Sequence, residues 1–89
     1  MPRISQQKIE KISEQILSYL FLIFPKQIFT SEIAKEMARD EEFIKKILKN
    51  LEKKELIIKI TKNPKGIQYS HRERWRISNK THKIYKQHQ

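Results

Sequence analysis

The chain has no cysteine and almost no glycine, and each shortage excludes a class of function. Without cysteine, neither a disulfide framework nor a thiolate metal site can form. Gly66 is the single glycine among 89 residues, which excludes the glycine-rich loops that cradle phosphates in nucleotide-binding enzymes. The longest apolar run, residues 19–24, is too short to cross a bilayer. We therefore expect one domain over residues 1–89, with no membrane contact and no cofactor.

Catalytic and metal-binding patterns are also missing from the sequence. The serines have no triad setting, and His71, His82 and His88 have no cysteine and no histidine four residues away on a helix. We therefore expect no enzyme and no metal site, and no small-molecule ligand is evident. The polar N-terminus lacks the apolar core of a signal peptide, which predicts a cytoplasmic protein.

Positive charge is concentrated in one half of the chain. Residues 45–89 contain 14 Lys or Arg against 3 Asp or Glu, a balance of +11, whereas residues 1–44 contain 6 against 7. The total formal charge is +10. Such an asymmetry predicts a polyanionic partner, with nucleic acid ahead of an acidic membrane surface.

The first helix is predicted over about residues 5–24, capped by Ser5 and ended by Pro25. Ile9, Ile12, Ile16, Leu20 and Ile23 recur at steps of three and four and form one buried stripe. A second apolar stripe adds Leu17, Phe21 and Phe24. Two interpretations of that stripe stay open: it lies inside the core, or it contacts another subunit.

The remaining pattern predicts two short helices, a hairpin and a last helix. Thr30 is expected to cap a helix over about 31–38, and Asp40 a helix over about 41–54. Strands are expected over 56–61 and 67–77, after an extended piece at 27–29, with a turn at 63–66. Ser78 is expected to cap a helix that reaches about residue 86. The predicted fold class is mainly α with a small β-hairpin.

Residues 32–57 resemble a known family pattern. They read EIAKEMARDEEFIKKILKNLEKKELI, which is similar without gaps to a segment of MarR-, ArsR- and PadR-like regulators. In those families EIA opens a helix-turn-helix, a capping Ser or Asp precedes its second helix, and LxxLExxGLI leads into a wing. The sequence WRIS at 75–78 resembles the aromatic-x-Leu-Thr that ends the wing. The likeness covers about residues 16–86 and implies a winged helix-turn-helix fold and a DNA-binding transcriptional regulator.

The predicted DNA-binding residues lie on the second helix of the motif and on the wing. A lysine-rich face opposite the apolar stripe of the helix at 41–54 is suited to the major groove, while wing cations are suited to the backbone or the minor groove. The N-terminus of the preceding helix is expected to bind one phosphate through its amides. These residues are Lys45, Lys46, Lys49, Asn50 and Lys53 for the groove, Lys62, Lys65, Arg72, Arg74 and Arg76 for the wing, and Thr30 and Ser31 for the phosphate.

Some residues depart from the family pattern. Glu41, Glu42 and Phe43 occupy positions where small polar or basic residues are usual, Arg39 replaces an apolar residue, and Glu55 replaces a glycine. Glu42 either accepts a hydrogen bond from a cytosine amino group or faces away from the bases. Phe43 is expected to be packed, with a thymine methyl contact as the alternative.

A homodimer is expected, because one such helix reads few base pairs and two half-sites multiply specificity. Its interface would be formed by Leu17, Phe21, Phe24, Ile84 and Tyr85. Two further functions stay open: a nucleoid-associated, chromatin-like or DNA-segregation protein that coats DNA with little sequence preference, and a winged-helix adaptor that binds other proteins. The basic face argues against the adaptor, whereas Glu41, Glu42 and Phe43 argue mildly for it.

Overall fold

The computed structural model describes residues 5–61 and 73–88, which form helices and short strands in the predicted order. The helices are α1 (Gln6–Leu22), α2 (Thr30–Met37), α3 (Glu41–Lys53) and α4 (Asn79–Gln87), and the strands are β1 (Ile28–Phe29), β2 (Ile57–Ile60) and β3 (Arg74–Ile77). The predicted fold class, mainly α with a small β-hairpin, is confirmed. Among the described helices, none is both long and apolar enough to cross a membrane.

The strands form one antiparallel sheet in the order β1-β3-β2. Ile28 lies opposite Trp75, and Ile57 lies opposite Ile77, so β3 is the central strand of the three. The predicted turn at 63–66 and the first part of the predicted return strand, 67–72, lie outside the described residues.

The core forms where α1, α2 and α3 pack against the inner face of the sheet. Ile16 and Leu20 of α1, Ile44 of α3 and Trp75 of β3 are each fully buried. Burying this apolar surface is the main favourable term for folding. The alternation predicted for the return strand is confirmed where it can be seen, because Trp75 and Ile77 are buried while Arg74 and Arg76 are partly exposed.

Three of the four predicted caps are confirmed by hydrogen bonds to the first turn of a helix. Ser5 Oγ accepts from the Lys8 amide at 3.2 Å, and Asp40 Oδ2 accepts from the Phe43 amide at 3.2 Å. Ser78 Oγ accepts from the Thr81 amide at 3.1 Å. Each side chain therefore satisfies an amide that has no partner within its helix.

The fourth prediction, that Thr30 caps α2, is wrong. Residue Phe29 is the N-cap of α2, and the carboxylate of Glu32 accepts from the Phe29 amide at 3.3 Å. Thr30 is the first helical residue and is 8% exposed. Its Oγ1 instead accepts a hydrogen bond from the indole Nε1 of Trp75 at 2.8 Å. A buried N–H without a partner would be costly, so this bond stabilises the contact between α2 and β3.

Two non-glycine residues adopt the left-handed backbone conformation, one in the turn before α3 and one in the turn after it. Ala38 follows α2 with a φ of 54°, and Glu55 follows α3 with a φ of 62°. Glu55 stands where the family pattern has glycine, and its backbone adopts the conformation that glycine favours there.

The second apolar stripe of α1 packs mainly inside the chain. Leu17 is buried at 6% exposure. The rings of Phe21 and Phe24 stack on the His82 imidazole, with centroids 4.9 and 3.8 Å apart, and Phe21 also contacts Tyr85 at 5.8 Å. This cluster fixes α4 against the C-terminal end of α1.

Tyr19 and Tyr85 both have a raised pKa, so their phenols stay neutral at neutral pH. Burial raises the pKa of Tyr85, and the Glu14 carboxylate raises it further. Burial also raises the pKa of Tyr19, with smaller contributions from the carboxylates of Glu36 and Glu32. The phenols therefore add no negative charge near α1.

Candidate nucleic-acid interface

The outer face of α3 is a surface of lysine side chains. Its inner face, Ile44, Ile47, Leu48 and Leu51, is buried, which fixes the rotation of the helix about its axis. The side chains on the opposite face therefore point into solvent. Lys46, Lys49, Asn50 and Lys53 are exposed and Lys45 is half-buried, so the structure brings the five predicted residues of α3 together on and beside one face.

An open groove runs beside this face and includes one lysine that the sequence analysis missed. The groove has a volume of about 540 Å³, and its lining is Lys46, Lys49, Asn50, Glu52, Lys53 and Lys59. Lys59 lies on β2 and pairs across the sheet with Trp75. We define the basic groove as these six residues.

Alternation along β2 explains why Lys59 reaches the groove. Residues 57 and 59 point to the same face of the sheet, and Ile57 is buried against the helices. Lys59 therefore points to the helical side at the edge of the core. The sequence contains part of this signal, because Lys59 shares the parity of Ile57 in the predicted strand, but it does not show that β2 lies beside α3.

A second, smaller cleft of about 210 Å³ lies at the start of α2 and α3 and is acidic. We call it the acidic cleft; its lining is Phe29, Thr30, Ser31, Glu41, Glu42, Lys45 and Glu73. Three carboxylates and one ammonium share this lining. Glu41 and Glu42 complement the positive end of the α3 dipole, while Thr30 and Ser31 begin α2.

The two described wing arginines contact aromatic rings of their own chain. The Arg74 guanidinium lies 4.6 Å from the Phe29 ring centroid. Arg76 lies 5.7 Å from the Phe24 centroid, and its Nη1 donates to Ile77 O and to Asn79 Oδ1, both at 3.0 Å. Alternation places both arginines on the sheet face opposite Trp75, whereas Lys59 is on the Trp75 face. Lys62, Lys65 and Arg72 lie outside the described residues.

Comparison with known proteins identifies the fold. No family model matches the sequence, and no curated protein matches it. Among solved structures, the S. aureus MepR-DNA complex matches with a TM-score of 0.71 at 22% identity, over 92% of this chain and 67% of MepR. The fold is a winged helix-turn-helix. At this identity the likeness shows the fold alone.

Other winged helix-turn-helix structures agree with this assignment. MepR described as a transcription regulator of the Staphylococcus aureus multidrug efflux pump MepA gives a TM-score of 0.68 at 22% identity, over 91% of this chain and 59% of that one. The Lactococcus lactis ZitR C30AH42A mutant in apo form gives 0.63 at 21% identity, over 92% and 59%. This chain thus spans about three fifths of the length of these two proteins. In this fold α2 and α3 are the helix-turn-helix, and β2 and β3 belong to the wing.

Proposed function

We propose that the chain binds double-stranded DNA as a small transcriptional regulator, with α3 in the major groove. The observation that supports this most is the basic groove, in which four lysines from α3 and β2 line one open surface. The buried inner face of α3 packs against the core, which leaves its cationic outer face available to contact DNA phosphates. MepR, which has the same fold, has been solved as a complex with DNA. The protein would act in the cytoplasm, at the nucleoid.

The interface extends beyond the groove in this proposal. Lys45 and the N-terminal amides of α2, at Thr30 and Ser31, would approach one backbone near the acidic cleft. Lys62, Lys65 and Arg72 would add flanking contacts from the wing. Arg74 and Arg76 would contact DNA only by giving up the aromatic and hydrogen-bond contacts described above.

A homodimer is part of the proposal, because a pair of winged domains would read two half-sites. Ile84 is 46% exposed, and Phe21, Phe24 and Tyr85 remain partly exposed beside it, which supports this surface. Leu17, at 6% exposure in the single chain, has little surface left to contribute. The adaptor alternative loses one support, because Phe43 packs partly buried against the core.

A salt titration tests the proposed function. If Lys46, Lys49 and Lys53 each neutralise one phosphate, log affinity for a random duplex falls with log salt at a slope of about −2.7 per chain, or more steeply. Fluorescence anisotropy of a labelled duplex measures the slope, and sedimentation with a palindromic duplex measures the number of chains bound. Absence of binding at low salt would contradict the proposal, and equal affinity for every sequence would favour DNA coating.

Glu42 is expected to determine part of the sequence preference. Its carboxylate is exposed at the start of α3, on the same outward face as Lys46 and Lys49. A carboxylate only accepts hydrogen bonds, and cytosine is the base whose major-groove edge offers a donor without an acceptor. Glu42→Gln should therefore reduce discrimination for cytosine at one position of each half-site by roughly 5- to 150-fold.

Selection of bound sequences from a random pool measures this effect. Glu10→Gln, which neutralises an exposed carboxylate on α1, is the matched control and should leave the selected sequences unchanged. If Glu42→Gln selects the same sequences as the native chain, Glu42 serves only the helix dipole and faces away from the bases.

A further inference from the structure

Lys59 is the cation of the basic groove that is contributed by the sheet. Its Nζ lies 3.8 Å from Glu73 Oε1, and both side chains are 32% exposed. The other lysines of the groove, Lys46, Lys49 and Lys53, form no ion pair among the described residues. Lys59 is therefore the groove lysine whose charge is already partly neutralised in the free chain.

Glu73 depends on this contact more than an ordinary surface carboxylate does. Its second oxygen, Oε2, is inaccessible to solvent and has no hydrogen-bond partner among residues 5–61 and 73–88. Glu73 also lines the acidic cleft, where the carboxylates of Glu41 and Glu42 outnumber the single ammonium of Lys45. The ammonium of Lys59 is the cation paired with this carboxylate, and it offsets the repulsion from Glu41 and Glu42.

We propose that Lys59 is a further phosphate-binding residue and that Glu73 restrains it until DNA binds. This inference rests on the proposed function. A partly exposed ion pair contributes a small free energy, so Lys59 can exchange the carboxylate for a phosphate, and losing the pair weakens binding only several-fold. The exchange leaves Glu73 without its compensating charge, which opposes binding. Glu73 thereby lowers the affinity for any DNA backbone and leaves more of the total affinity to base contacts.

The experiment uses salt titrations of the full chain with a random duplex. Lys59→Gln should weaken binding several-fold at low salt and reduce the steepness of the salt slope by about 0.9, the value for one phosphate. Lys59→Arg should keep the native slope. Lys83→Gln removes an exposed charge on α4 and is the matched control. A slope for Lys59→Gln equal to that of Lys83→Gln would overturn the phosphate contact.

The restraint is tested by Glu73→Gln, alone and combined with Lys59→Gln. Glu73→Gln should strengthen binding several-fold more than the exposed control Glu10→Gln, and this gain should disappear in the Lys59→Gln background. An equal gain in both backgrounds would mean that Glu73 acts by general repulsion, and the restraint would be wrong. Thermal unfolding of each variant establishes that it is folded. If the native chain itself binds no duplex, the proposed function fails, whereas changed slopes concern Lys59 and Glu73 alone.

Discussion

Reversing the charge of Lys49 is expected to weaken DNA binding more than any other single change on α3. Lys49 is exposed near the middle of the outer face and lines the basic groove. Lys49→Glu removes one phosphate contact and adds a charge that repels the backbone. We expect a loss on the order of 10- to 100-fold at moderate salt, together with a shallower salt slope. Anisotropy titrations at several salt concentrations measure both quantities.

The control for Lys49→Glu makes the same change of charge at a residue outside the basic groove. Lys83→Glu alters an exposed residue of α4, away from the basic groove, and should weaken binding much less. Both variants should keep the native melting temperature, since neither side chain is buried. Equal losses for the two variants would mean that net charge alone governs binding and that α3 has been placed in the groove wrongly.

Truncating Trp75 is expected to have the largest effect on stability. The side chain is fully buried at the centre of the sheet, and its indole N–H donates to Thr30. Trp75→Ala removes this packing and leaves a cavity, which should cost about 3–5 kcal/mol of unfolding free energy. For a domain of this size the melting temperature should fall by at least about 12 °C. Urea unfolding followed by circular dichroism measures the change.

Two milder variants separate the hydrogen bond from the packing. Trp75→Phe keeps much of the apolar volume, while Thr30→Val leaves the buried indole N–H without its acceptor, which should cost about 1–3 kcal/mol. Leu22→Ala, at a position that is 75% exposed, should change stability by less than about 0.5 kcal/mol. If Thr30→Val were as stable as the native chain, the bond between α2 and β3 would not contribute measurably.

The features that depend on neighbouring residues could be predicted from the sequence. Asp40 and Ser78 form their hydrogen bonds three residues away, so a local pattern is sufficient to locate the starts of α3 and α4. The buried stripe of α3 follows from helical periodicity for the same reason. The lysine-rich outer face could therefore be placed before the structure was known.

The features that sequence analysis missed depend on residues far apart in the chain. Threonine is a common helix cap, but the hydroxyl of Thr30 accepts a hydrogen bond from the indole of Trp75, 45 residues later. Arg74 lies over the ring of Phe29, which becomes its neighbour only through the pairing of β1 with β3. Lys59 joins the basic groove only because β2 lies beside α3. All three depend on how the strands pair and how the helices pack on the sheet, which local patterns do not encode.

The left-handed corners at Ala38 and Glu55 have a consequence for the stiffness of the proposed reading helix. Each non-glycine residue in this conformation costs on the order of 1 kcal/mol, and the rest of the fold must offset that cost. In return, a residue with a Cβ atom has fewer alternative backbone conformations than glycine at the same corner. The turns at both ends of α3 thus contain no glycine. Little conformational entropy would then remain to be lost when the helix enters a groove, so affinity would depend mainly on how well its fixed orientation matches the DNA.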